Sequence, residues 1–253
     1  MCPTRQTPDR QRLDHALAAR GLAPSRSRAG DLVRRGLVSV DGMVVAKPGA
    51  LVASQCRIEV AGEAAGWVSR GAEKLIAALD AFGFDAAGRV ALDIGASTGG
   101  FSEALLRRGA RRIYAVDVGS GQLHPRLAAD PRVVALERTD ARALDVSLVP
   151  EPVGMIVADV SFIGLAKALP AALALAAPGA LLVALVKPQF EVGPGHVGKG
   201  GIVRDAGARA AAVRAVVEWI AGQSGWRIVA SIASPITGAD GNEELLVGAA
   251  RDG

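Results

Sequence analysis

Seven short apolar runs constrain this chain more than anything else in it: "VALDIG", "RIYAVDVG", "RVVALE", "GMIVADV", "ALLVALVK", "WRIVASIA" and "ELLVGAA". Helical patterns alternate with them, and that rhythm predicts an α/β fold, an open parallel sheet with helices on both faces. The stretch "WRIVASIASPITGADGNEELLVGA" has no room for a crossover helix, so its two strands are expected to run antiparallel. In such sheets ligands bind outside the carboxyl ends of the strands, where the strand order reverses. The polar residues that end these runs are therefore the first candidates for chemistry.

Composition removes several alternatives. Half of the 253 residues are apolar, enough for one good core and a small appendage. The longest apolar run, "ALPAALALAAPGALLVALV", is broken by Pro170, Pro178 and Gly179 and reads as helix, turn and strand rather than a membrane span. The opening "MCPTRQTPDRQR" lacks the apolar centre of a secretory signal, and two cysteines with three scattered histidines support neither a disulfide framework nor a zinc site. A reduced, cytoplasmic setting with no metal and no membrane partner is expected.

Charge divides the chain. Residues 1–65 carry ten Lys and Arg against six Asp and Glu, whereas the remainder is balanced. A compact basic module beside a neutral one points to a polyanionic partner. Residues 1–62 read as that module, 63–70 as a linker and 71–253 as the α/β domain. Within the module, Leu13, Ala16 and Leu17 recur at helical spacing before Gly21. Ser25 or Ser27 can cap a second helix that ends at Gly36, and "LVSVDGMVV" predicts a hairpin about Asp41-Gly42. Arg26, Arg28, Arg34 and Arg35 fall around the second helix, where they could contact phosphates. The pieces "RLD..LA", "SRSRAGDLVRRGLVSVDG" and "KPG" closely resemble the S-four RNA-binding domain. That resemblance implies a small α+β domain for structured RNA and adds Arg12 and Lys47 to the expected contacts. Few aromatics accompany the arginines, which disfavours a single-strand stacking platform.

The turn "LDIGASTGGFSEALL" joins a strand to a helix through Gly95, Gly99 and Gly100, residues that permit close backbone approach. Its spacing is not the dinucleotide G-x-G-x-x-G, which weakens a nicotinamide reading. Asp117 ends the next strand, where a carboxylate can accept ribose hydroxyls, and Asp140 follows the third, placed to meet an adenine edge. With no phosphate-binding lysine in the turn, S-adenosylmethionine suits the pattern better than ATP. Asp159 and Lys187 then end two further apolar runs, Lys74 lies early in "SRGAEKLIAALDAFG", and Glu243 and Glu244 open the last strand. The Pro-Pro-aromatic tetrad usual for amino-group methylation is missing, for "DVSF" has no prolines.

Together "WVSRGAEKL", "LDIGASTGGF", "AVDVG", "DVSFI", "VKPQFEVG", "GKGGIVRD" and "GNEELL" resemble the TlyA family of rRNA 2′-O-methyltransferases, within the wider FtsJ/RrmJ-like group. The resemblance implies a Rossmann-like S-adenosylmethionine-dependent methyltransferase sheet. It also implies ribosomal RNA or a ribosomal subunit as substrate, with cytidine as the target nucleotide, and a monomer is expected. A Lys-Asp-Lys-Glu set carries over to Lys74, Asp159, Lys187 and Glu244. Cofactor contacts are expected from Asp93, Gly95, Ala96, Gly99, Phe101, Asp117 and Asp140, and further RNA contacts from Lys199 and Arg204. A ribose 2′-hydroxyl is a poor nucleophile, so catalysis rests on in-line positioning and on a base for its proton. Lys187 is the expected base, with Lys74 favouring its neutral form and steering the hydroxyl, and the two carboxylates orienting both amines. The competing expectations are an RNA-binding protein with a silent second domain and a membrane-acting haemolysin, a label carried by some members of the family.

Overall fold

The computed structural model describes residues 10–23, 25–34, 36–60, 67–198, 200–238 and 241–253, in two compact units, Met1–Arg70 and Gly71–Gly253. In the first unit, β1 (Arg10–Arg12) leads into α1 (Leu13–Ala19), and α2 (Arg26–Arg34) packs against α1. The hairpin of β2 (Val38–Val40) and β3 (Met43–Val44) turns at Asp41 and Gly42, both at positive φ (50° and 81°), the backbone that a two-residue hairpin loop requires. β4 (Leu51–Ala53) pairs with β1, and β5 (Ile58–Val60) with β2, both antiparallel. The core is small and aliphatic: Leu13, Leu17, Leu32, Val33, Val38 and Ile58. Of the two candidate caps it is Ser25 that serves α2, its Oγ accepting from the Arg28 amide at 3.2 Å.

In the second unit α3 (Gly71–Phe82) precedes a seven-stranded sheet. Its strands are β6 (Val90–Ile94), β7 (Arg112–Val116), β8 (Val133–Leu136), β9 (Val153–Ala158), β10 (Ala176–Val186), β11 (Trp226–Ala233) and β12 (Leu245–Arg251). Each coincides with one of the seven apolar runs. The order is β11-β12-β10-β9-β6-β7-β8. β8, β7, β6, β9 and β10 run parallel, while β12 is antiparallel to both β10 and β11. All five residues of β6 are buried, as expected of a parallel strand covered on both faces, whereas β11 at the edge alternates exposed and half-buried positions after a buried Trp226. The chain leaves β6 toward β7 on one side and later returns to place β9 on the other. That reversal opens a crevice at the carboxyl ends of β6 and β9.

Candidate active site

A cavity of about 1140 Å³ occupies this crevice, and Gly95, Asp117, Asp140, Asp159, Phe162 and Phe190 are among its walls. Gly95 follows β6 at φ +83°, and a Cβ there would fall 2.5 Å from the Asp159 carbonyl oxygen. Glycine is required because the ends of β6 and β9 pass too closely for any side chain. Asp117, just past β7, accepts from the Ser97 amide (Oδ2, 2.8 Å) and the Gly119 amide (Oδ1, 2.7 Å). Each oxygen keeps a second lone-pair direction for a ligand hydroxyl. Asp140 caps a short 3-10 turn (Ala141–Ala143), and the Arg142 guanidinium and amide bonded to it hold its carboxyl down at about 2. It is an ionised acceptor at any physiological pH.

Four of the expected cofactor residues do not line the cavity. Gly99 is a glycine for a different reason: its φ of +95° is a backbone conformation that L side chains rarely adopt, and a Cβ there would also press on the methyl ends of Leu127 and Leu123. Phe101 and Ala96 are buried, Phe101 on α4 (Gly100–Arg107). Asp93 is fully buried in β6 and accepts from Ser102 Oγ at 2.7 Å. Burial, with the charges of Asp159 and Asp117 adding to it against the Ser102 hydrogen bond, pushes its carboxyl up to about 7. Its Oδ1 has no hydrogen-bond partner among the described residues. An orphaned buried oxygen beneath the turn, a glycine that no Cβ could replace and a doubly anchored carboxylate at the next strand end suit a polar nucleoside ligand. Residue patterns alone missed Ser97, Gly119, Gln122, Arg142, Ser161 and Phe162, which line the same cavity. Ser97 carried a weak signal, since it follows Gly95 in the same turn.

Two amine–carboxylate pairs stand beside this cavity. Lys187, at the end of β10, places Nζ 2.5 Å from Asp159 Oδ1 and donates to Ser161 Oγ at 3.0 Å. Lys74, on the first turn of α3, is ion-paired with Glu244 Oε2, and both side chains are buried. Glu243 is exposed and instead pairs with Arg209 at 3.1 Å, which separates the two adjacent glutamates by environment. Lys187 and Glu244 line a second cavity of about 310 Å³ that shares Ser161, Phe162, Gln189, Phe190 and Val197 with the first. Pro188 ends the ladder and starts a one-turn helix (Pro188–Glu191), with Lys187 as its N-cap. Phe162 holds the left-handed backbone (φ +67°) and leaves its ring 92% exposed, 5.2 Å between centroids from Phe190.

In the basic unit the expected arginines divide. Arg12 is bidentate to Asp14 (2.7 and 3.0 Å), Arg26 lies 3.7 Å from the same carboxylate and Arg34 pairs with Asp31 at 2.7 Å; all three remain exposed to the extent of more than half of their side chains. Lys47 and Arg204 are exposed. Arg28 is not available to a phosphate, being 3% exposed. The helix α2 is buried all round from Arg28 to Val33, whereas Arg26, its first residue, stays out. Arg35 and Lys199 lie outside the described residues.

The FtsJ-like methyltransferase family matches residues 67–251, and the S4 domain matches residues 11–55. The chain is 50% identical over 239 residues to the 16S/23S rRNA (cytidine-2′-O)-methyltransferase TlyA of Mycobacterium tuberculosis, covering 94% of this chain and 89% of that protein. A solved structure of a hemolysin-named protein from Streptococcus thermophilus is 35% identical, with a TM-score of 0.73 over 98% of this chain and 90% of that one. The O-methyltransferase TomG from Streptomyces achromogenes, solved with SAM, is 25% identical with a TM-score of 0.50, covering 74% and 82%. No helix among the described residues is long and apolar enough to cross a membrane.

Proposed function

We propose, since the chain belongs to the FtsJ-like methyltransferase family and to its TlyA branch, that it methylates the ribose 2′-hydroxyl of a cytidine in ribosomal RNA, with S-adenosylmethionine as methyl donor. One observation carries the reading. Lys187 and Glu244, paired with Asp159 and with Lys74 respectively, line a small cavity that adjoins the nucleoside-suited cavity over the switch point. The smaller cavity suits the acceptor ribose, and the larger one the donor.

Asp117 and Asp140 would hold the donor's ribose and base, with Gly95 giving its chain room. When bound, the donor supplies a methyl group on a sulfonium, an electrophile open to in-line attack. Asp159 and Ser161 fix the direction of the Lys187 amine, whose lone pair in the neutral form takes the 2′-hydroxyl proton. Lys74, pinned by Glu244, steers the same oxygen by charge and position. Holding the reactants in line supplies most of the rate. Phe162 and Phe190 offer an aromatic wall on which an unstacked base can rest. The basic unit, with Arg12, Arg26, Arg34 and Lys47, holds the RNA through its backbone.

The test is transfer of labelled methyl from S-adenosylmethionine to isolated ribosomal subunits, followed by mapping of the modified nucleotide. Label on a cytidine ribose is expected. No label in either subunit, or label on a base nitrogen, overturns the reading.

A further inference from the structure

Asn242 is buried to 1% exposure, two residues before Glu244, and touches neither cavity. Its side chain makes two hydrogen bonds to one piece of backbone: Oδ1 accepts from the Val203 amide at 2.9 Å, and Nδ2 donates to the Gly201 carbonyl at 2.9 Å. The carboxamide thus behaves like one rung of a strand pair. The residues it grips are tied back to Gly198, whose amide donates to Ile202 O (3.0 Å) and whose carbonyl accepts from the Gly201 amide (3.1 Å). On its other side, the Asn242 carbonyl accepts from the Gly238 amide at 2.9 Å. A Cβ on Gly238 would come within 2.6 Å of Glu244 Oε1, so Gly238 lies directly against the glutamate. Gly201 and Glu244 both line the smaller cavity, together with Lys187.

We infer that Asn242 is a positioning residue for the acceptor site: it registers residues 201–203 against Glu244 and so sets the wall facing Lys187. The inference rests on the function proposed above for that cavity. Only an amide provides the donor and the acceptor together at this length. Aspartate would still serve the Val203 amide but would turn a carboxylate toward the Gly201 carbonyl. Alanine would leave two buried backbone groups unpaired.

Three readouts decide it. N242A should lower kcat/KM for ribosomal subunits about 10- to 100-fold, the range a displacement of about 1 Å commonly produces, while the dissociation constant for S-adenosylmethionine stays within about twofold. Hydrogen exchange at the Val203 amide should accelerate more than about tenfold. N242D should be impaired near pH 8 and recover, relative to wild type at the same pH, as acid restores an O–H donor toward Gly201; burial raises a carboxyl and brings that protonation within reach. A folded N242A with kcat/KM within about twofold of wild type overturns the inference. So does unchanged exchange at Val203, loss of donor affinity in step with activity, or an N242D deficit that ignores pH. If N242A does not fold, the pH response of N242D decides alone. Should the wild-type protein transfer no methyl group to ribosomal subunits, the function reading falls, while exchange at Val203 still tests the Asn242 contact.

Discussion

Each of the two lysines at the site has one carboxylate close by, but their surroundings differ. Lys74 and Glu244 are both buried, whereas Lys187 and Asp159 stay partly open to the cavities, at 14% and 23% side-chain exposure. The open pair is the one a substrate hydroxyl can reach. K187A should therefore reduce methyl transfer by about 10³-fold or more, at the upper end of what a general base contributes, with donor affinity and melting temperature nearly unchanged; near-normal turnover would exclude Lys187 as the base. E244A should act differently. It leaves a buried ammonium uncompensated, a defect of about 3–5 kcal/mol, so both melting temperature and activity should fall. Asp93 adds a dependence on pH. The folded chain keeps its proton up to about 7, whereas an unfolded chain gives it up near its ordinary 3.8. The folded state thus binds more protons across that window, and the ligand-free protein should lose stability as pH rises from about 4 to about 7. D93N removes this term, so the fall in melting temperature between about pH 5 and pH 8 should shrink in the variant; an equal fall in both proteins would contradict the assignment.

At the scale of elements, the sequence displayed the sheet well because each strand of the second unit is a largely apolar run bounded by turn residues or polar side chains. The short strands β1, β4 and β5 escaped notice, since three-residue strands with exposed positions carry no periodic signal. The glycine-rich turn was legible as a turn but not in its parts. Gly95 and Gly99 look alike in sequence, yet one clears the Asp159 carbonyl and the other clears Leu123 and Leu127. Asp93 was equally ambiguous, because a strand buried on both faces lacks the alternation that would show which side chains meet the crevice. The distinction between the glycines is measurable. G95A should push the ends of β6 and β9 apart and lose donor affinity and methyl transfer together. G99A should fall mainly in melting temperature, as α5 (Pro125–Ala128) and its Leu127 are displaced from the turn. Equal donor affinity in G95A and wild type would refute the close-approach argument.

Across the whole molecule, net charge and chemistry are segregated: the excess positive charge lies in the first quarter, and the amines of the site belong to a balanced domain. Composition alone revealed that division, but not which cations are free to act, because burial depends on tertiary packing. Arg26 and Arg28 are two residues apart, yet Arg26 at the start of α2 stays exposed while Arg28 opens the run of six buried residues that follows. Each phosphate contact releases counterions, so losing one cation lowers the slope of log K against log[salt] by about 1. R26A and K47A should each weaken binding to ribosomal subunits, flatten that slope by about one unit and leave the melting temperature within about a degree. R28A should do the reverse, lowering the melting temperature by several degrees through loss of a buried side chain in a small domain, with the salt slope of the folded fraction unchanged. A flattened slope in R28A without loss of stability would place Arg28 on the RNA-facing surface and require α2 to turn when RNA binds.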